Sequence, residues 1–393
     1  MGFCFSKLRN YLKKLLFSQF RIAFRTGICK LKWRRKREGG ACPIFTHITQ
    51  YSKDSRADHP VYCLKNDLGT EVGFVALGAA IAFVKTPDRN GHLINIALSL
   101  CSYEEYSRSD TYSGATIGPA AGRIRNGLLP ILGTEYSLQK NDSGNTLHGG
   151  TNNLGHSLWE IGEFFCGPDE AGIVFKARLN DGQNGFPGER HFGVRYTLSS
   201  DNTLKIRYTA VTDKTTFLNL TNHTYWNLTG DFTKPCDSIV LQINAEEVYF
   251  NDADHLPVSC ESTVGTPFDF TSPRPVAEAM KSAPAHSQLQ NARGYNNAYV
   301  LRDACLPAAS LYDPKSGRHV TVATDYPCLV FYSGGYLSEA GFTADGQKIA
   351  AGSAYALEAQ YPPDAPNLLG KDAPLLFPGD VYHKEISFHF DTL

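Results

Sequence analysis

From residue 44 onward, short apolar runs recur between turn-forming residues. Residues 203–211 alternate polar and apolar side chains, and this pattern predicts a β-strand with one buried face. Further β-rich runs at residues 61–64, 172–177 and 238–243 lie between clusters of Gly, Asn, Asp and Pro. Regularly spaced short strands with turn signals favour a sandwich or a barrel. We therefore expect an all-β fold.

Helical periodicity is nearly absent from the same region. Residues 275–280 predict one short helix. A chain of 393 residues could hold one large all-β domain or two ordinary domains. Because no repeat and no change in composition divides residues 44–393, we predict that they form one domain.

Residues 1–43 have a different composition. No Asp or Glu occurs between Met1 and Arg37, and the segment ends in the basic run at 32–37. The formal net charge of the whole chain is −1, so the remainder is acidic. An acidic domain argues against nucleic acid as its main partner. Gly39 and Gly40 predict a linker, which makes residues 1–43 a basic, flexible extension.

Three interpretations of this extension stay open. Gly2 fits the N-myristoylation pattern, with Cys4 available for palmitoylation, and two such signals would allow peripheral membrane contact. A basic, acid-free start also fits a mitochondrial presequence. The third interpretation is a dispensable extension or an error in the gene model. A spanning helix is not expected, because Lys or Arg recurs every few positions.

The ten cysteines are scattered, without paired C-x-x-C spacing. Disulfide frameworks and zinc sites both need denser patterns. We therefore expect a reducing compartment, the cytoplasm, and no metal.

Four segments carry candidate chemistry. His223 stands among amides, hydroxyls and aromatic rings in residues 219–228, where it could transfer a proton near neutral pH. His148 precedes two glycines, which allow a backbone to approach a ligand closely. Arg123 follows a run of small residues and offers a fixed positive charge to ligand oxygens. Glu358 lies between an apolar run and a proline-rich loop.

In this order the segments resemble the aldose 1-epimerase (galactose mutarotase) family. Further matching motifs extend the resemblance over roughly residues 44–393; they are Pro87-Asp88-Arg89-Asn90-Gly91, Gly185-Phe186-Pro187-Gly188, Gly265-Thr266-Pro267-Phe268-Asp269-Phe270, Tyr332-Ser333-Gly334-Gly335-Tyr336-Leu337 and Pro378-Gly379-Asp380-Val381-Tyr382. The resemblance implies a large antiparallel β-sandwich of the galactose mutarotase type, with an open sugar cleft on one concave sheet.

The resemblance also implies a function and its residues. The expected reaction interconverts the α and β anomers of free hexoses such as galactose and glucose, by ring opening and closure without a cofactor. Glu358 matches the family's catalytic base and His223 its catalytic acid, expected on opposite sides of the sugar. The acid role requires neighbours that favour protonated His223. His148, Arg123 and Gln360 are expected to bind the substrate.

One position departs from the family pattern. Asn296 stands where the family usually has an aspartate that binds sugar hydroxyls. Charge-assisted hydrogen bonds are stronger than neutral ones, so we expect altered sugar preference or a raised KM. Asn296 also leaves open an alternative, a non-catalytic carbohydrate-binding protein on the same fold. The preferred aldose and the choice between monomer and dimer stay open.

Overall fold

The structure is a computed structural model that describes residues 45–50, 60–302 and 307–393. The predictions for the extension 1–43, including lipidation at Gly2 and Cys4, lie outside these residues. In the described part of the chain, no helix is long and apolar enough to cross a membrane.

Three antiparallel sheets account for most of the strands in the described residues. The largest has the order β11 (Glu160–Cys166), β12 (Glu170–Leu179), β13 (Arg190–Ser199), β14 (Thr203–Thr212), β28 (Tyr382–Thr392), β24 (Arg318–Thr324), β23 (Ala309–Tyr312), β18 (Val240–Ile243), β21 (Arg274–Pro275). The second has the order β17 (Tyr225–Trp226), β26 (Tyr355–Gln360), β25 (Cys328–Tyr332), β22 (Asn296–Leu301), β19 (Ala245–Asn251), β20 (Pro257–Ser262). The third runs β1 (Phe45–Gln50), β2 (Pro60–Lys65), β3 (Glu71–Val75), β4 (Ala80–Pro87), β5 (Leu93–Asn95).

Short paired strands and helices complete the described elements. The strand pairs are β6 (Thr116–Ile117) with β16 (Thr221–Asn222), β7 (Arg123–Ile124) with β10 (Thr146–Leu147), β8 (Leu128–Ile131) with β9 (Thr134–Ser137), and β15 (Thr216–Phe217) with β27 (Leu375–Leu376). The α-helices are α1 (Tyr103–Arg108), α2 (Val276–Ser282), α3 (Ser287–Asn291) and α4 (Ala365–Leu368). Single 3₁₀ turns lie at Arg125–Gly127, Leu154–His156, Gln183–Gly185, Leu337–Ala340 and Gly370–Asp372.

The core lies between the large sheet and the other two. Trp226 of β17 packs on Phe388 of β28, with ring centroids 4.9 Å apart, and Phe74 of β3 packs on Tyr196 of β13 at 4.6 Å. Burying such aromatic surfaces stabilises the layered arrangement. The all-β sandwich predicted from the sequence is confirmed.

Candidate active site

A pocket of about 460 Å³ opens on the face of the second sheet that points away from the core. Side chains alternate between the two faces of a strand. In β26, Glu358 therefore lines the pocket while its neighbours Leu357 and Ala359 join the core. Val330 of β25 pairs with Glu358 and also lines the pocket. Ala298 of β22 pairs with Val330 and lines the pocket as well. Three adjacent strands thus form the floor of the pocket.

His223 lies where the chain crosses from one sheet to another. Its backbone N–H donates to the carbonyl of Ala115 (2.9 Å), and its carbonyl accepts from the N–H of Gly114 (2.9 Å). Asn222 uses its amide to donate to the Gly114 carbonyl (2.8 Å) and to accept from Thr224. The neighbouring amide therefore fixes the backbone and makes no hydrogen bond with the imidazole.

Glu358 and His223 meet inside the pocket. The distance from Glu358 Oε1 to His223 Nε2 is 3.5 Å, and the two residues are only 4% and 6% exposed. Burial raises the pKa of Glu358 to about 8 and lowers the pKa of His223 to about 4. Although the carboxylate would attract a proton to the ring, loss of solvation dominates for both groups. The surroundings therefore disfavour a protonated His223, whereas the acid role expected from the sequence requires neighbours that favour it.

The same distance does not fit the expected arrangement in which Glu358 and His223 lie on opposite sides of the sugar. The two side chains stand beside each other, with no gap for a pyranose between them. A sugar would have to lie over both groups.

His148 is held by hydrogen bonds to Gly122, the residue before Arg123. Its backbone has a left-handed φ of 53°, and its Nδ1 accepts from the backbone N–H of Gly122 at 3.2 Å. An accepting Nδ1 carries no proton, so the neutral ring bears its proton on Nε2. Burial and the nearby His223 also hold the pKa of His148 well below its usual value. The ring lies edge-on to His223, with centroids 5.7 Å apart.

Arg123 reaches the pocket from β7. Its Nε donates to Asp142 Oδ2 at 2.6 Å, which fixes the guanidinium plane. Asp142 sits in the turn 141–145, and Asn141 accepts from the backbone N–H of Leu147 in β10 (2.7 Å). Because β10 pairs with β7, this turn holds Arg123 from both sides.

Gln360 and Asn296 complete the predicted set. Gln360 is buried in β26, and its Nε2 donates to the carbonyl of Tyr361 (3.1 Å). Asn296 lines the pocket from β22. Its backbone carbonyl accepts from Asn251 Nδ2 (2.7 Å), whereas its side-chain amide makes no hydrogen bond to the described residues. The pocket thus contains all six site residues that the sequence suggested.

Two residues near the predicted site, Trp226 and Asp364, support the fold and do not line the pocket. Trp226 is fully buried in the core, while the adjacent Tyr225 lines the pocket. Asp364 accepts from the backbone N–H of Arg125 (3.0 Å) and from Asn367 Nδ2 (2.7 Å). It therefore braces the proline-rich loop.

Several residues that line the pocket were not predicted from the sequence. These are Arg108, Ser109, Asp110, Thr111, Asn251, His255, Tyr332, Tyr336 and Glu339. Tyr332 could have been found, because it pairs with Asn296 across β25 and β22. Arg108 ends α1 and Asn251 ends β19 beside a register shift. The others come from loops and turns, where alternation gives no signal. Among the described residues, no group of three His, Cys, Asp or Glu side chains is placed to hold a metal ion.

Comparisons with known proteins show which family the chain resembles. A family model described as Aldose 1-epimerase matches residues 60–389. The chain is 32% identical to an aldose 1-epimerase of Haemophilus influenzae, over 81% of this chain and 91% of that protein. It is 30% identical to the galactose mutarotase of Homo sapiens, over 84% and 93% of the two chains.

Solved structures give the same result. A galactose 1-epimerase from Lactobacillus acidophilus superimposes with a TM-score of 0.76 at 30% identity, covering 88% of this chain and 98% of that one. An aldose epimerase homologue from C. elegans gives a TM-score of 0.75 at 29% identity, covering 83% and 97%. The chain belongs to the aldose 1-epimerase family.

Proposed function

We propose that the pocket interconverts the α and β anomers of free aldohexoses such as galactose and glucose, with Glu358 and His223 moving the protons. The similarity to aldose 1-epimerase, galactose mutarotase and galactose 1-epimerase supports this proposal. The non-catalytic alternative was suggested by Asn296 alone, and nothing in these comparisons favours it.

The reaction itself sets the geometry that is needed. Ring opening removes the proton of the anomeric hydroxyl and adds one to the ring oxygen, and ring closure reverses both steps. Both oxygens are bonded to the same carbon. Two adjacent proton-transfer groups therefore suit the reaction, and Glu358 and His223 are adjacent, 3.5 Å apart.

The protonation of the pair is the next requirement. With a pKa of about 8 for Glu358 and about 4 for His223, the pair carries one proton at neutral pH, on the carboxyl group in the free protein. Transfer to His223 gives the ion pair in which Glu358 is the base and His223 the acid. One proton on two groups is the charge state that an acid–base pair requires.

The remaining side chains hold the sugar. His148 presents Nε2–H as a neutral donor, because its Nδ1 is occupied by Gly122. Arg123 presents the guanidinium edge not used by Asp142. Gln360 and Asn296 offer amide groups for sugar hydroxyls. This set recognises neutral hydroxyls and requires no cofactor.

The contact between Glu358 and His223 carries the proposal. The test is polarimetry on freshly dissolved α-D-glucose and α-D-galactose. Wild-type protein should accelerate mutarotation, and Glu358→Gln should reduce kcat at least about 100-fold, the usual scale of general base catalysis. Glu160→Gln, at an exposed position on β11, is the control and should retain full activity. Equal rates with and without wild-type protein would contradict the proposal.

Three predictions from the sequence accompany this function. They are a cytoplasmic location, a monomer or dimer without nucleic acid, and an N-terminal extension with three open interpretations: peripheral membrane contact through lipidated Gly2 and Cys4, a mitochondrial presequence, or a dispensable or wrongly predicted segment. Mass spectrometry of the native N-terminus distinguishes acylation from cleavage.

A further inference from the structure

One tight turn places in the pocket a histidine that has no role in the proposed reaction. Directly after β19, Asp252 Oδ1 accepts from the backbone N–H groups of Asp254 and Leu256, at 3.0 Å each. The N–H of Asp252 donates to the Leu256 carbonyl (2.9 Å), and the N–H of His255 donates to the Asp252 carbonyl (3.1 Å). This turn places His255 among the pocket-lining residues.

The backbone of His255 is strained. Its φ is +60°, in the left-handed region that residues other than glycine rarely adopt. Such conformations persist only where surrounding contacts enforce them, and they cluster at functional sites. Here Arg125 Nη1 forms an ion pair with Asp252 Oδ2 at 3.0 Å. Asn291 Nδ2 of α3 also donates to the Asp252 carbonyl at 2.9 Å.

The contact with Asn291 also sets the tautomer of His255. Because Asn291 Nδ2 donates to a carbonyl, the orientation of this amide is determined. The same nitrogen lies 3.5 Å from His255 Nδ1, a long contact that favours the tautomer in which Nδ1 accepts. Nδ1 is then the acceptor and Nε2 carries the ring proton. Nε2 has no hydrogen-bond partner among the described residues.

His255 shares a wall of the pocket with Asn296. The link is Asn251, the last residue of β19, whose side chain donates to the Asn296 carbonyl (2.7 Å). The 252–256 turn follows Asn251 immediately. The uncharged amide of Asn296 and the imidazole of His255 therefore lie on the same side of the pocket floor.

We propose that His255 is a substrate-binding residue that determines sugar specificity, its Nε2–H donating a hydrogen bond to one hydroxyl oxygen of the bound aldose. This inference rests on the proposed function and deepens it. A neutral donor on this wall adds a directional contact where Asn296 offers no carboxylate. The protein then selects aldoses by the position of one hydroxyl oxygen.

The test compares His255→Asn with His255→Gln. Asparagine tolerates a left-handed backbone and has a polar atom near the position of Nδ1, but it cannot reach the position of Nε2. Glutamine places an amide N–H near the position of Nε2. His383→Asn, at an exposed position on β28 of the opposite sheet, is the matched control. Thermal unfolding of each variant checks that the fold is retained.

Each protein is assayed for kcat and KM with glucose and with its 2-, 3-, 4- and 6-deoxy analogues. His255→Asn should raise KM about tenfold, the usual effect of losing one hydrogen bond to a ligand, and change kcat less. His255→Gln should recover most of that loss. In wild type one deoxy analogue should be penalised, and in His255→Asn that penalty should disappear.

The outcomes separate this inference from the proposed function. Active wild type with unchanged KM and unchanged deoxy-sugar penalties in His255→Asn would overturn the role of His255 alone. A fall in kcat that glutamine does not recover would also overturn it, since that pattern indicates a structural role. Wild type that does not accelerate mutarotation would overturn the proposed function, and sugar binding by calorimetry would then still measure the contact of His255.

Discussion

Two ionisable side chains buried in contact with each other define the chemistry of this pocket. Burial opposes charge on both, so it raises the pKa of Glu358 and lowers the pKa of His223. The pair then keeps one proton over a wide pH range. The residue types were visible in the sequence, but their protonation was not, because it depends on solvation and on a contact between positions far apart in the chain.

We predict a bell-shaped pH dependence of kcat/KM for mutarotation. Below about 4 His223 gains a proton, and above about 8 Glu358 loses one, so activity should fall on both sides of a plateau between these values. The two limits belong to the pair, and they hold whichever partner carries the proton in the reactive state. Initial rates by polarimetry, corrected for the spontaneous rate at each pH, measure this. A maximum above pH 9 would contradict the single-proton pair.

We also predict that Glu358→Gln stabilises the fold at alkaline pH. The pKa of Glu358 is higher in the folded protein, about 8, than in an unfolded chain. Its contribution to stability is therefore full at acid pH and is lost as pH rises through about 8. The unfolding free energy of the variant, relative to wild type, should increase by about 4 kcal/mol between pH 5 and pH 9. Urea unfolding at both pH values measures it, and a constant difference would refute the burial argument.

At the scale of strands and loops, the sequence predicted more of the fold than of the pocket wall. The alternating residues 203–211 form most of β14, and the helix predicted at 275–280 corresponds to α2. Alternation succeeds there because one face of each strand is buried. His255 was missed because a turn with left-handed backbone follows no period. Its place in the pocket depends on Arg125 and Asn291, which no local pattern connects to it.

The loop that carries His148 depends on a glycine. Gly149 has φ +86°, and a Cβ there would lie 2.5 Å from Pro119 Cδ. Gly149→Ala should destabilise the protein by about 2–4 kcal/mol and lower kcat/KM, because His148 is the preceding residue. Gly133, with φ +83° and open space around its Cβ position, is the control, and Gly133→Ala should cost about 1 kcal/mol with unchanged activity. Equal effects of the two substitutions would show that the clash with Pro119 is relieved at little cost.

At the scale of the whole molecule, three distant segments meet at Asn219. Its side chain donates to the carbonyl of Tyr361 (3.1 Å) and accepts from the N–H of Tyr361 (2.9 Å). Its backbone N–H donates to the Pro119 carbonyl (2.8 Å), and its carbonyl accepts from the N–H of Ala121 (2.8 Å). The segments that carry His223, Glu358 and Arg123 are thereby joined. The sequence contained these segments but not this junction, because hydrogen bonds between distant residues leave no local pattern.

Asn219→Ala should therefore affect stability and activity together. Loss of the two side-chain hydrogen bonds to Tyr361 should cost about 2–3 kcal/mol, and kcat/KM should fall because the loop after Glu358 is no longer held. Gln242→Ala is the control, since this partly exposed glutamine of β18 also donates to a backbone carbonyl, that of Thr271 (3.0 Å), and should cost about 1 kcal/mol with unchanged activity. Chemical denaturation and polarimetry on both variants test this. Normal turnover in Asn219→Ala would mean that the floor of the pocket positions Glu358 without the junction.

Because the junction includes Tyr361, which directly follows the strand that carries Glu358, activity requires that this segment has been synthesised. Glu358 lies on a strand that enters the second sheet between β17 and β25, so a nascent chain still lacking that strand cannot turn over sugar. A chain truncated before β26 should therefore leave mutarotation at its spontaneous rate.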